Sequence, residues 1–153
     1  MSVAFRRESD EEHREPRFEL PVPPGPNLVT KRGYDLIITR TEELEAAVAR
    51  ASSDEQRAEL QRDLRYWRAR LATAQIAPSA TGEAVAFGTR VAIEQGGKVR
   101  TLTIVGHDEA DPAAGRIAFA SPVAQALMGA EPDEDITLPG SDQTIRVISV
   151  ESV

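Results

Sequence analysis

The stretch TKRGYDLIITRTEELEAAVARASSDEQRAELQRDLRYWRARLATAQ, residues 30–75, decides the fold. Within it Tyr34, Ile37, Thr41, Leu44, Val48 and Ala51 are spaced 3, 4, 3, 4, 3. Leu60, Leu64, Trp67, Leu71 and Ala74 follow at spacings of 4, 3, 4, 3. Apolar groups recurring every ~3.5 residues form a seam that two helices can share. Thr30 is placed to cap the first helix, and Ser53 or Asp54 the second, since a short oxygen-bearing side chain satisfies free first-turn amides. The break Ala51-Ser52-Ser53-Asp54 leaves room only for a reversal, so the helices return as an antiparallel hairpin, each covering the other's stripe. At ~1.5 Å per residue, twenty residues make an arm roughly 30 Å long. Glu42, Glu43 and Glu45 can face Arg62, Arg65, Arg68 and Arg70 across the hairpin, worth a few tenths of a kcal/mol per exposed pair. Trp67, on the seam, reads as core.

Beyond the hairpin the pattern changes. Residues 76–84 are a linker by composition. Thr89–Gln95 and Val99–Val105 then flank Gly96-Gly97, a two-residue hairpin signal because glycine accepts positive φ. A loop spans 106–115, a short strand 116–119, and Ser121-Pro122 opens a helix that Gly129 closes. A second hairpin joins 136–138 to 144–150 around Pro139-Gly140-Ser141-Asp142. The fold class is therefore α+β: an N-terminal antiparallel helical hairpin (30–75), then a small antiparallel sheet-plus-helix domain (85–153). Residues 1–29 form a charged tail carrying Pro16, Pro21, Pro23, Pro24 and Pro26. It reads as extended chain, with a short docking strand at 18–22.

Composition narrows the chemistry. Of 153 residues, 41% are hydrophobic and only 5% aromatic, so the core must rest on Leu, Ile, Val and Ala. The absence of cysteine excludes disulfides and thiolate metal sites. His13 and His107 lie far apart, which leaves a Ser–His–Asp or His-rich metal site short of parts. A net charge of −7 argues against a bulk nucleic-acid binder. The charge is uneven: residues 30–74 hold nine basic against eight acidic side chains, residues 75–153 five against eleven. No signal-like apolar stretch opens the chain, and no run approaches the ~20 apolar residues a bilayer requires. A cytoplasmic monomer with no membrane partner is expected.

Taken alone, the charged residues have ordinary roles. Asp54 and Glu55 at a helix N-terminus complement the macrodipole. Arg62, Arg65 and Arg68 form a solvated face paired with helix-one glutamates. His107-Asp108-Glu109-Ala110-Asp111 lacks any recognised ligand spacing. Neither an intrinsic metal nor an intrinsic cofactor is expected.

Several stretches together resemble the GreA/GreB family of transcription elongation factors. They are Leu28-Val29-Thr30-Lys31-Arg32-Gly33-Tyr34, Val85-Ala86-Phe87-Gly88-Thr89-Arg90-Val91, Ile104-Val105-Gly106-His107-Asp108-Glu109-Ala110-Asp111, Ser121-Pro122-Val123-Ala124-Gln125-Ala126-Leu127-Met128-Gly129 and Val147-Ile148-Ser149-Val150. The resemblance implies an FKBP-like fold for residues 85–153, docking at the rim of the RNA polymerase secondary channel. Docking candidates are Asp108, Glu109, Asp111, Ser121 and Pro122. It further implies that the arm enters the channel, where Asp54 and Glu55 help hold a second Mg²⁺ with which polymerase cleaves backtracked RNA. Polymerase core is the partner and the catalyst, so the chain is not an enzyme. Arg62, Arg65 and Arg68 would face nascent RNA or the channel wall, and contact with DNA is indirect, by family association.

Two departures stand out. The family tip is Asp-x-x-Glu-Asn, whereas this turn reads Ala51-Ser52-Ser53-Asp54-Glu55-Gln56, with adjacent acids about 100° apart around a helix. The arm is also several turns shorter than is usual in the family. A channel-binding regulator without cleavage stimulation is the alternative. A prolyl isomerase, prompted by the fold, is opposed by the presence of only Phe87 and Phe119 among aromatics after residue 76. A plain interaction module, similar to nucleoside-kinase regulators, is the third reading.

Overall fold

A computed structural model describes residues 19–153. Strand β1 (Leu28–Val29) leads into helix α1 (Lys31–Ala49). Thr30 starts the helix by accepting the Gly33 amide at 3.0 Å. At the other end Ser53, rather than Asp54, caps α2 (Asp54–Thr73), its hydroxyl accepting the Gln56 amide at 3.1 Å. Strand β2 (Gln75–Ile76) then pairs in parallel with β1, Leu28 opposite Gln75 and Val29 opposite Ile76. The chain entering the hairpin is thus stapled to the chain leaving it. Ile37, Thr41 and Leu64 of the seam are buried. Trp67 is only half-buried and packs edge-on against Tyr66, with centroids 5.4 Å apart.

Two expectations need correction here. The expected ladder of helix-one glutamates and helix-two arginines reduces to Arg68–Glu45 at 3.3 Å among the described residues, because Arg65 pairs with Glu19 and Arg70 with Asp108. The docking strand at 18–22 is also absent from its described part. Residues 19–22 carry no strand, and Phe18 lies outside the described residues.

The remaining elements are β3 (Thr89–Gln95), β4 (Lys98–Val105), β5 (Arg116–Ala118), α3 (Pro122–Leu127), β6 (Asp135–Thr137) and β7 (Thr144–Ser152). They form a five-stranded sheet in the order β5-β4-β3-β7-β6. Gly96 and Gly97, with φ of 59° and 77°, make the tight β3–β4 turn as expected. The sheet is mixed rather than antiparallel, since β5 pairs in parallel with β4, Thr103 opposite Arg116. The cause lies in residues 106–115. Two 3-10 turns, His107–Glu109 and Pro112–Ala114, and left-handed Gly115 carry the chain back before it runs forward again beside β4. The core forms where Val91, Ile93, Leu102, Ile104, Ile145 and Val147 on one sheet face meet Ala124 and Leu127 of α3. Ser121 caps α3 by accepting the Ala124 amide at 3.3 Å, with Pro122 in the first turn.

Candidate functional site

The turn between α1 and α2 is tied by its own side chains. The Gln56 amide oxygen accepts from both the Ser52 N–H and its hydroxyl, each at 3.0 Å. Arg57 donates to Asp54 at 2.9 Å and, through its other nitrogen, to the Ala51 carbonyl at 3.2 Å. Asp54 is otherwise fully exposed. Glu55 is exposed at the next position of α2. Removing the cap by Ser53→Ala is expected to lower stability by ~1 kcal/mol, read as a shift in the urea midpoint at unchanged slope.

At the base of the arm lies a buried polar network built on the His107–Glu109 turn. The Asp108 carboxylate accepts from the Tyr66 hydroxyl at 2.5 Å and from Arg70 Nε at 2.6 Å, both on α2. Side-chain exposures in this ion pair are 4% for Arg70 and 5% for Asp108, so a buried cation is matched by a buried anion. Arg70 also donates to the Asn27 side chain at 2.8 Å, and the Asn27 amide returns hydrogen bonds to the Arg70 carbonyl and to Thr73. Burial, then the hydrogen bond to Asp108, pushes the Tyr66 hydroxyl well above the ordinary tyrosine range.

Glu109 grips the other helix. It accepts from the Thr30 hydroxyl at 2.5 Å and from Arg32 at 3.0 Å, with only 4% of its side chain exposed. Helix α1 has no acid in its own first turn, and Glu109 supplies that negative charge from across the chain. Gly33 makes the approach feasible, because a Cβ there would stand 2.7 Å from the Glu109 carboxylate.

The other sequence-selected residues lie apart. Asp111 is half exposed and 3.7 Å from Arg116. Pro122 is exposed beside the partly buried Ser121 cap. Arg65 holds Glu19 through contacts of 2.6 and 3.0 Å, and that hydrogen bond keeps the Glu19 carboxyl below its usual range. Arg68 meets Glu45, and Arg62 lies 3.9 Å from Asp63. The basic stripe therefore brings acids with it. An apolar cavity of about 420 Å³ runs between Pro21–Pro26 and Phe119. Among the described residues no group of three His, Cys, Asp or Glu side chains could hold a metal, and no helix is long and apolar enough to cross a membrane.

The resemblance brought Asp108 and Glu109 forward as docking candidates, and the structure encloses both carboxylates at the base of the arm. Sequence reasoning did not single out Asn27, Tyr66 or Arg57, and it placed Arg70 on a solvent-facing ladder. Arg70 sits one position from the seam residue Leu71, where a surface and a buried arginine have the same periodicity. No pattern in the sequence separates them.

A two-helix arm joined to a small mixed sheet defines an α+β protein. Residues 80–152 match the family described as transcription elongation factor, GreA/GreB, C-term. The transcription elongation factor GreA of Desulfovibrio desulfuricans is 39% identical over 93 residues, covering 57% of each chain. That of Thioalkalivibrio sulfidiphilus is 39% identical over 92 residues, covering 56% of this chain and 58% of its own. The chain thus spans little more than half the length of these curated relatives. The crystal structure of GreA factor homolog 1 of Thermus thermophilus is 19% identical, covering 84% of this chain and all of that one, with a TM-score of 0.41. The chain is therefore similar to the GreA elongation factors over little more than half its length, and residues 80–152 are similar to the GreA/GreB C-terminal domain.

Proposed function

We propose that the chain is a Gre-type elongation factor that binds RNA polymerase core at its secondary channel and modulates elongation as a non-enzymatic partner. One observation carries this reading: a segment similar to the GreA/GreB C-terminal domain follows a two-helix arm with an exposed turn. Docking through Ser121, Pro122 and Asp111 follows from the resemblance, with nascent RNA and DNA met only inside the complex. The sheet domain is assigned to the FKBP type on the same ground. Phe87 and Phe119 pack edge-to-face on each other at 5.4 Å, and two rings fall short of the set of aromatic side chains on which a prolyl-isomerase pocket relies.

Of the two ways such a factor can act, the tip favours channel occupancy without cleavage. The family's acids would share a Mg²⁺ with polymerase, but this tip does not suit that role. A cation at Asp54 would meet the Arg57 guanidinium, which lies 2.9 Å from that carboxylate. Glu55, the next residue of the helix, points about 100° away. The tip therefore presents a near-neutral, internally bonded surface.

Purified protein added to a stalled, backtracked elongation complex with Mg²⁺ should bind and release no more 3′ RNA fragment than polymerase alone. Fragment release above that level would refute occupancy without cleavage. Absence of any binding to core polymerase would remove the elongation-factor reading itself.

A further inference from the structure

We propose that the His107–Glu109 turn is the joint that aims the arm, with Asp108 and Glu109 as positioning residues acting on the partner through the hairpin. The consequence for transcription rests on the elongation-factor reading. The geometry does not.

Three observations carry the inference. First, each carboxylate takes a different helix: Asp108 holds Tyr66 and Arg70 of α2, and Glu109 holds Thr30 and Arg32 of α1. Two grips on two helices resist rotation as well as separation. A single grip would leave a pivot. Second, both carboxylates are almost wholly enclosed, so neither faces a partner. Third, the network is closed on itself through Asn27, which ties the chain entering the hairpin to Arg70 and Thr73 of the helix leaving it.

The leverage is large. From Arg70 to Asp54 the arm extends roughly 24 Å, so a swing of about 10° at the joint carries the tip about 4 Å. Displacements of that order decide whether a group reaches its target.

The protein has no cysteine, so Ser52→Cys and Lys98→Cys place two spin labels cleanly, one at the tip and one on the β3–β4 turn. Double electron–electron resonance on the free full chain should give one narrow distance. Asp108→Asn/Glu109→Gln should broaden it at least twofold, and Tyr66→Phe should broaden it less, because it removes one of the two α2 contacts of Asp108 and leaves Arg70 in place. A distribution as narrow as the parent's in the folded double variant overturns the joint. If the double variant does not fold, the Tyr66→Phe and Asp108→Asn single variants decide by the same criterion. On polymerase, the joint variants should bind within about twofold of the parent while their effect on elongation falls roughly tenfold. Lost affinity at an unchanged distance distribution would mean direct contact and would also overturn the proposal. A parent that never binds polymerase defeats the elongation-factor reading, yet leaves the distance measurement to judge the joint.

Discussion

Arg70→Met should destabilise the protein by about 3–5 kcal/mol, the range for removing one partner of a buried ion pair. Methionine fills similar volume, so the loss comes from what remains. Asp108 keeps its Tyr66 hydrogen bond but sits 5% exposed without a counter-ion, and the Asn27 side-chain oxygen loses its donor. Replacing both partners, Arg70→Met with Asp108→Leu, should be less damaging than Arg70→Met alone by ~1–3 kcal/mol, because no buried charge is stranded. Tyr66 is only half-buried, so its hydroxyl can turn to water. Urea unfolding of the parent, both single variants and the double variant completes the cycle. A fall in Tm of roughly 10 °C for Arg70→Met is the corresponding thermal expectation. A single variant as stable as the parent would show that the pair is not enclosed in solution.

The second large effect is expected at Gly106. A Cβ built there would overlap the Leu28 carbonyl oxygen, and Leu28 belongs to β1, at the entrance to the arm. Gly106 has φ of −75°, so alanine suits its backbone conformation and the whole obstacle is steric. Backbone meets backbone, with no rotamer to yield. Gly106→Ala should therefore cost about 3 kcal/mol, the upper end of overpacking penalties. It should also separate β1 from the turn that holds both helices. Gly33→Ala makes a useful contrast, since its obstacle is the end of the Glu109 side chain, which can swing aside at the expense of its bonds to Thr30 and Arg32. Amide exchange across residues 27–33 should accelerate more in Gly106→Ala than in Gly33→Ala.

These two predictions fall on residues for which the sequence offered unequal guidance. Gly106 stands inside the Ile-Val-Gly-His-Asp-Glu-Ala-Asp run that carries the family resemblance, but nothing in that run names Leu28 as its neighbour. Arg70 looked like one of several arginines on an exposed face. The tip shows the same division. Capping by Ser53 follows from local chemistry, whereas the Arg57 bonds to Asp54 and Ala51 depend on how tightly the turn closes.

The mixed sheet teaches a related lesson. Each hairpin was legible, since turn glycines and alternating side chains are short-range signals. The parallel β4–β5 pair joins segments separated by a ten-residue loop, and direction across such a loop has no local marker.

By itself the sequence determined what neighbouring residues can settle: two amphipathic helices, their caps, two β-hairpins and the resemblance of the C-terminal segment to the GreA/GreB domain. Periodicity and capping act over a few residues, and the chain's own spacing expresses them. Tertiary structure alone decided which charges are enclosed, how the arm is held, and in which direction β5 runs. Those outcomes join residues about forty to eighty positions apart, as in Arg70 with Asp108 and Thr30 with Glu109, or turn on how a long loop closes. The energy of a buried pair depends on the partner and the water it excludes, neither of which is written beside it in the chain.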